Sequence, residues 1–349
     1  MPLQSLALER QALVDIAAEY GLGKLSTASK ALADWGGKRY ILEASKVRYD
    51  LQVRSLDDEF DLRRELDLLG FLEKHDFPSP RPVTDRRGRP FLERDDRYLV
   101  LFRVPTGKVL TAPQLVHKQV HSAGRALGQL HMLSRGYKRA IDNRFGFERI
   151  FETYAAVRRR MPPYFRKVVR TLDEEIEYLG NYLETKLPKG VIHGAIHHTS
   201  YTFRGDAVVM LGDFDAACRG KYVFDLATAV NAMCFVDEGY SLERFEALMA
   251  GYEALRTLSL AEWDSFPNEL RFAALRFAVV RLNEFFDSEE DEKDRINQDF
   301  REYLERLRVL RREKDGGMEG LLMAMATGYD YRKYQRVKTD EEAESADAE

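Results

Sequence analysis

The part of this 349-residue chain equipped for chemistry is HGAIHHTSYTFRGDAVVMLGDFDAACRGKYVFDLATAV, residues 193–230. Asp213 and Asp215 stand two positions apart at the end of an apolar run, with Phe214 between them. Paired carboxylates in a loop are hard oxygen donors of the kind that take Mg2+. A centre that transfers a phosphoryl group needs such a metal to neutralise phosphate charge. It also needs an Asp base to accept the hydroxyl proton and an Asn or Asp as a further metal ligand. Here a loop opens at His193-Gly194, a hairpin turning at Gly205-Asp206 leads to the acidic pair, and Asp225 follows where a helix starts.

Two lobes must position these residues. Leu6, Leu13, Ile16, Ala17 and Tyr20 share one face of an opening helix that Gly21 stops. RYILEAS (39–45) and RYDLQVRS (48–55) read as strands joined by a short turn. Residues 57–75 predict an amphipathic helix, with Asp57 and Asp58 at its positive end and Phe60, Leu62, Leu66, Leu69 and Leu72 facing inward. The proline-rich stretch 77–82 is an extended connector, and RGRPFLE and RYLVLFRV (97–104) supply two more strands around a turn at Arg87-Gly88. Pro105, Thr106 and Gly107 form a hinge.

Helices are then expected over 113–134 and 171–187, a strand-loop-strand unit over 191–215, and helix from residue 226 to about 311. Ser259 and Glu262 form a capping box for a helix at 260–265. The expected fold class is α+β and bilobal: a β-rich lobe over 1–104, a helical lobe over 105–311 and an extension over 312–349. In the extension, MEGLLMAMA (318–326) suits a closing helix or an adaptable docking surface. Six acids among the last ten residues predict disorder there. A cleft between lobes is the default ligand site.

Composition narrows the class. Hydrophobic residues at 44% and charged residues at 32% exclude collagen-like, mucin-like and wholly disordered chains. A net charge of −4 gives no global drive toward nucleic acid or an anionic membrane. No apolar run reaches spanning length; the best, Phe272–Val280, holds Arg276. With only Cys218 and Cys234 there is no disulfide framework, and both thiols are expected to pack as small buried groups in a cytoplasmic protein. The basic run Arg158-Arg159-Arg160, with Arg166, Lys167 and Arg170, reads as a solvated face.

The chain resembles the aminoglycoside phosphotransferase and choline-kinase-like family, most closely its homoserine kinase branch. The matching residues are His193, Gly194, Asp213, Phe214, Asp215 and Phe224-Asp225-Leu226-Ala227. NAMCF (231–235), residues 251–282, EYGLGKLS (19–26), residues 63–83 and LGQLHML (127–133) fit as well, so the likeness covers roughly 10–311. It implies a bilobal protein-kinase-like fold, ATP and Mg2+ as cofactors, metal ligation by Asp213 and Asp215, and Asp225 holding the catalytic loop. It also implies that His193 locks that loop by an interior hydrogen bond.

The departures from the family decide the expected function. Ala195 stands where the family has its catalytic Asp, and Ser200 where it has a metal-binding Asn. Gln52 stands where the third strand often carries a phosphate-pairing Lys or Arg, which leaves Glu65 on the following helix without its partner and as a surface residue. No Gly-rich phosphate loop precedes residue 40, only STASKALADWGG. His197 and His198 follow the missing base, but adjacent positions should point in different directions, which weakens His198 as a substitute base. The expectation is a pseudokinase that binds a protein partner or small metabolite in the inter-lobe cleft, with no nucleic acid or membrane. Two rivals stand beside it: an active kinase using Asp213, Asp215 or His198 as base, and a scaffold acting through its tail.

Overall fold

The small lobe is built on strand alternation. In the computed structural model, which describes residue 8 and residues 10–31, 38–56, 59–139, 141–287 and 299–312, six strands form one antiparallel sheet. They are β1 (Leu25–Ala31), β2 (Lys38–Ala44), β3 (Val47–Ser55), β4 (Arg81–Val83), β5 (Leu92–Arg94) and β6 (Arg97–Val104). Their order is β1-β2-β3-β6-β4, with β5 also paired to β6. One sheet face (Tyr40, Leu42, Leu51, Leu99, Leu101) packs on Leu13 and Ile16 of α1 (Arg10–Glu19) and on Tyr20 just after it. A strand's period of two sends Asp50, Gln52 and Arg54 to the other face. Arg39 lies opposite Gln52 in the β2–β3 register and shares that face. This is the face toward α2 (Glu59–Lys74) and the cleft.

The large lobe is mostly helical. It comprises α3 (His117–Ser134), α4 (Phe147–Arg158), α5 (Arg166–Tyr182), β7 (Lys189–Ile192), β8 (Tyr201–Arg204), β9 (Ala207–Leu211) and β10 (Cys218–Lys221). These are followed by α6 (Tyr222–Met233), β11 (Phe235–Val236), β12 (Gly239–Tyr240), α7 (Leu242–Glu253), α8 (Leu260–Asp287) and α9 (Arg301–Arg312). β8 and β9 form the hairpin before the acidic pair, and β10 returns to pair with β7. Every residue of α6 is buried, so the chain around Asp225 has no solvent face. No helix among the described residues is long and apolar enough to cross a membrane.

Several expectations need correction. Phe60 is 69% exposed, because Leu62, Glu65, Leu68, Leu69 and Leu72 set the buried stripe of α2 and residue 60 falls outside it. The Arg64 guanidinium covers its ring instead, 4.9 Å from the centroid. α5 ends at Tyr182 and begins at Arg166, earlier than 171–187. The Ser259–Glu262 box forms, with Ser259 N–H donating to Glu262 Oε2 at 3.0 Å, but it opens a helix that runs on to Asp287 through Pro267. The apolar residues after Pro267 are buried on all sides, which outweighs one lost backbone bond. Between α6 and α7 a short hairpin interrupts the helical run, with Asp237 and Glu238 both at positive φ. Arg158 and Arg160 meet surface acids, Asp173 and Asp287. The MEGLLMAMA segment and acidic tail lie outside the described residues.

α3 and α7 touch backbone to backbone through glycine. A Cβ on Gly124 would stand 2.0 Å from the Leu248 carbonyl oxygen, whereas one on Gly70 in α2 would meet nothing within 4 Å. Gly124→Ala is therefore expected to destabilise by about 1–3 kcal/mol, and Gly70→Ala to stabilise by about 0.5–1 kcal/mol. Urea midpoints at unchanged slope measure both.

Candidate functional site

Asp225, fully buried near the start of α6, fixes the loop after β7. Its carboxylate accepts the backbone N–H groups of His193 (2.8 Å) and Gly194 (2.9 Å), and His131 Nε2 lies 3.0 Å away. Burial alone would raise this carboxyl; the hydrogen bond from His131 and the nearby imidazoles bring it below its ordinary value. His193 Nε2 donates to the Gly212 carbonyl (2.6 Å), and Gly212 N–H donates to Ser200 O (2.8 Å), which ties the loop to the acidic turn. Gly194 has φ +80°, and a Cβ there would lie 2.4 Å from Ala216 O. The frame of a catalytic loop is therefore complete.

The positions that the resemblance would make reactive are apolar or already bonded. Ala195 is buried in a cluster with Ala216, Phe277, Ala278 and Tyr303, with Phe145 packed against it. Ser200 is buried, its N–H bonded to His197 O (3.1 Å). The two imidazoles do not point apart: a 3-10 turn at His198–Ser200 brings their ring centroids to 3.9 Å. His197 Nδ1 pairs with Thr199 Oγ1 (2.8 Å) and His198 Nδ1 with Leu110 O (3.1 Å). Burial, then the charge of His198, holds His197 well below its ordinary value, so it is neutral at pH 7.

Arginines from the small lobe reach the acidic pair. Arg39 clamps Asp50 at 3.2 and 2.5 Å and extends Nη1 to Asp213 Oδ1 at 2.9 Å. Gln52 donates to Asp50 Oδ2 (2.8 Å) and accepts from Arg54 Nη2 (2.6 Å). That same Arg54 nitrogen lies 3.5 Å from Glu65 Oε2, and Arg54 Nη1 lies 3.8 Å from Asp215 Oδ2. Glu65 is thus buried and paired, not a surface residue: its cation stands two positions beyond Gln52 on the same strand face. Burial pushes the Glu65 carboxyl up to about 7, against the pull of Arg54. Asp213 sits in the left-handed region at φ 61°. Burial raises its carboxyl, and Arg39 opposes that.

The sequence reading missed Asp50, Arg39 and Arg54. Their signal was strand alternation: Arg48, Asp50 and Arg54, every charge of RYDLQVRS, fall on one face. Cys218 is buried, and its thiol is pushed up to about 12 by that burial, which leaves it a packing group.

A divalent metal needs carboxylate oxygens with free lone pairs. Asp213 is committed to Arg39, Asp215 faces Arg54, and Ser200 replaces the amide ligand. No cluster of three or more metal-binding side chains exists among the described residues. As arranged, a metal bound by this pair would compete with Arg39 for Asp213 Oδ1.

Residues 27–258 match the phosphotransferase enzyme family, APH. This chain belongs to that family. Curated relatives include the homoserine kinase of Caulobacter sp. (strain K31), 31% identical over 76% of this chain and 83% of its own. The homoserine kinase of Methylobacillus flagellatus is 29% identical over 76% and 82%. Among solved structures, an amicoumacin kinase in complex with AMP-PNP and Ca2+ superposes with a TM-score of 0.66 at 17% identity, covering 85% of this chain and 93% of that one. A microcompartment-associated aminopropanol kinase gives 0.59 at 18%, over 88% and 98%. The bilobal kinase-like fold is thereby placed.

Asp225→Asn removes a charge that three groups were arranged to hold, and the expected loss is about 3–5 kcal/mol. A depressed carboxyl contributes stability that is present above its ordinary value of 3.8 and lost as pH falls below it. The variant should therefore show a flatter acid limb as well as a lower plateau in chemical denaturation across pH.

Proposed function

We propose that this member of the phosphotransferase family is a pseudokinase: its cleft binds a small ligand, alone or together with a protein partner, and does not transfer phosphate at a kinase's rate. The observation that carries this reading is Ala195, buried against Phe277 and Tyr303 where the family's proton acceptor belongs. A positioned base contributes about 10²–10⁴-fold, and kinases turn over at about 1–100 s⁻¹. Without the base, about 10⁻⁴ to 1 s⁻¹ remains, centred near 10⁻² s⁻¹. The Arg39–Asp213 ion pair supports the same reading, because it places a fixed cation where the family's metal would be bound.

The relatives named homoserine kinase favour a second reading, an active small-molecule kinase with its base elsewhere. Asp213 and Asp215 are both beside arginines, which weakens them as acceptors; His198 donates Nδ1–H to the Leu110 carbonyl, which leaves Nε2 as the basic nitrogen and makes it the base this second reading would use. The purified full chain with MgATP and L-homoserine decides between the two. ADP release near 10⁻² s⁻¹ and below about 1 s⁻¹ is expected; several turnovers per second would establish the active kinase.

The arginine clasp makes a further prediction. Ala195→Asp with Ser200→Asn should raise transfer only when Arg39→Met is added, because the metal acid is otherwise still paired. A gain from the double variant alone would show that Arg39 yields to metal. ATP, if it binds, should raise the melting temperature equally with and without Mg2+ in wild type, and more with Mg2+ in Arg39→Met.

A further inference from the structure

From Arg158 to Arg170 the chain carries six cations, Arg158, Arg159, Arg160, Arg166, Lys167 and Arg170, and no acid. All six are exposed, on the end of α4, the connection after it and the first turns of α5. An open groove of about 430 Å³ lies among them, lined by Met161, Pro162 and Val169 and by Arg166 and Arg170.

The acids that line the same groove do not neutralise it. Asp173 is bonded to Arg158 (2.9 Å) and accepts from the Tyr154 hydroxyl (2.7 Å). Glu174 stands four residues after Arg170, at ion-pair spacing on a helix, but is taken by Arg311 of α9. Glu177 lies a further turn on, about 10 Å along the axis from Arg170. Arg160 is held by Asp287. Among the described residues, Arg159, Arg166, Lys167 and Arg170 are left without an ion pair. The chain as a whole is acidic, with a net charge of −4, so this one-signed surface runs against its composition.

Two observations indicate what covers it. The first is where α9 delivers the chain. Arg311 Nη1 donates to the carbonyl of Thr171 (3.2 Å), the residue after Arg170, and the described residues end at Arg312. The second is the charge that follows. Residues 340–349, DEEAESADAE, hold six acids and no base. Residues 313–339 connect the two, and a coil of about 27 residues spans about 30 Å, so a return to the neighbouring groove is within reach.

We propose that the acidic segment 340–349 docks on the basic groove between α4 and α5 of its own chain. Its carboxylates meet Arg159, Arg166, Lys167 and Arg170. Its alanines, Ala343, Ala346 and Ala348, are small enough to let the backbone close on Met161, Pro162 and Val169. The tether holds the segment at about millimolar effective concentration, so contacts that are individually weak and screened by salt suffice. The docking is independent of whether the cleft transfers phosphate.

A carbodiimide joins an amine to a carboxylate only where the two touch, and Lys167 is the amine of this patch. The full chain is treated at low salt and at about 1 M salt, and the new amide bonds are mapped by mass spectrometry. Bonds from Lys167 to acids of 340–349 of the same chain are expected at low salt, falling at least about fivefold at about 1 M. A labelled peptide of residues 339–349 is then added in trans. It is expected to bind about tenfold more tightly when the tail of the chain is neutralised by Asp340→Asn, Glu341→Gln, Glu342→Gln, Glu344→Gln, Asp347→Asn and Glu349→Gln, because the groove is then uncovered. Adding Arg166→Glu and Arg170→Glu should abolish that binding; the cross-link needs no variant and decides the matter if these do not fold.

The docking is overturned if Lys167 joins instead to the acids at 289–294, if the bonds link two copies and vanish on dilution, or if wild type and the tail-neutral chain bind the peptide equally. It is also overturned if single-stranded oligonucleotide or phosphatidylserine vesicles bind wild type as tightly as the tail-neutral chain, since the groove would then be open.

Discussion

The arrangement of the large lobe depends on one buried carboxylate. Asp225 receives two consecutive backbone N–H groups and an imidazole in a setting with no water to compete. Those donors belong to the main chain and to α3, so the loop keeps its path whatever side chains it displays. This explains how a phosphotransferase frame survives with Ala195 and Ser200 in it. Holding the loop and performing chemistry on it are separate physical tasks, and the groups for the first are complete here.

The charge pattern of the cleft follows from that separation. Acidic side chains that would gather around a metal and a triphosphate repel one another and need cations. In this chain the cations are guanidinium groups on neighbouring strands, Arg39 and Arg54, placed by pleat and register to meet Asp50, Asp213, Glu65 and Asp215. A guanidinium is permanently charged and rigidly forked, so it satisfies these carboxylates without a diffusible ion. The two lobes are therefore joined by covalently attached charges.

Much of this was legible in the residues themselves. The order of motifs from His193 to Asp225 gave the family. Strand positions followed from alternation in RYILEAS and RYDLQVRS. What could not be read was partnership across the cleft. Gln52 looked like a lost cation because the sequence does not say that Arg54, one pleat further on, can reach Glu65 instead. Phe60 looked buried because an aromatic residue on an amphipathic helix usually is; its phase relative to Leu62 and Leu69 was decided by where the sheet stands. Nor does the sequence say that α8 continues through Pro267, since that depends on burial from both sides.

The apolar packing around residue 195 also bears on what that position can hold. Tyr303 of α9 stacks on Phe277 of α8 at 4.8 Å, and both press on the alanine. A longer side chain at that point would have to displace one of these rings, so the volume allowed at residue 195 is set by the terminal helices as much as by the loop that carries it.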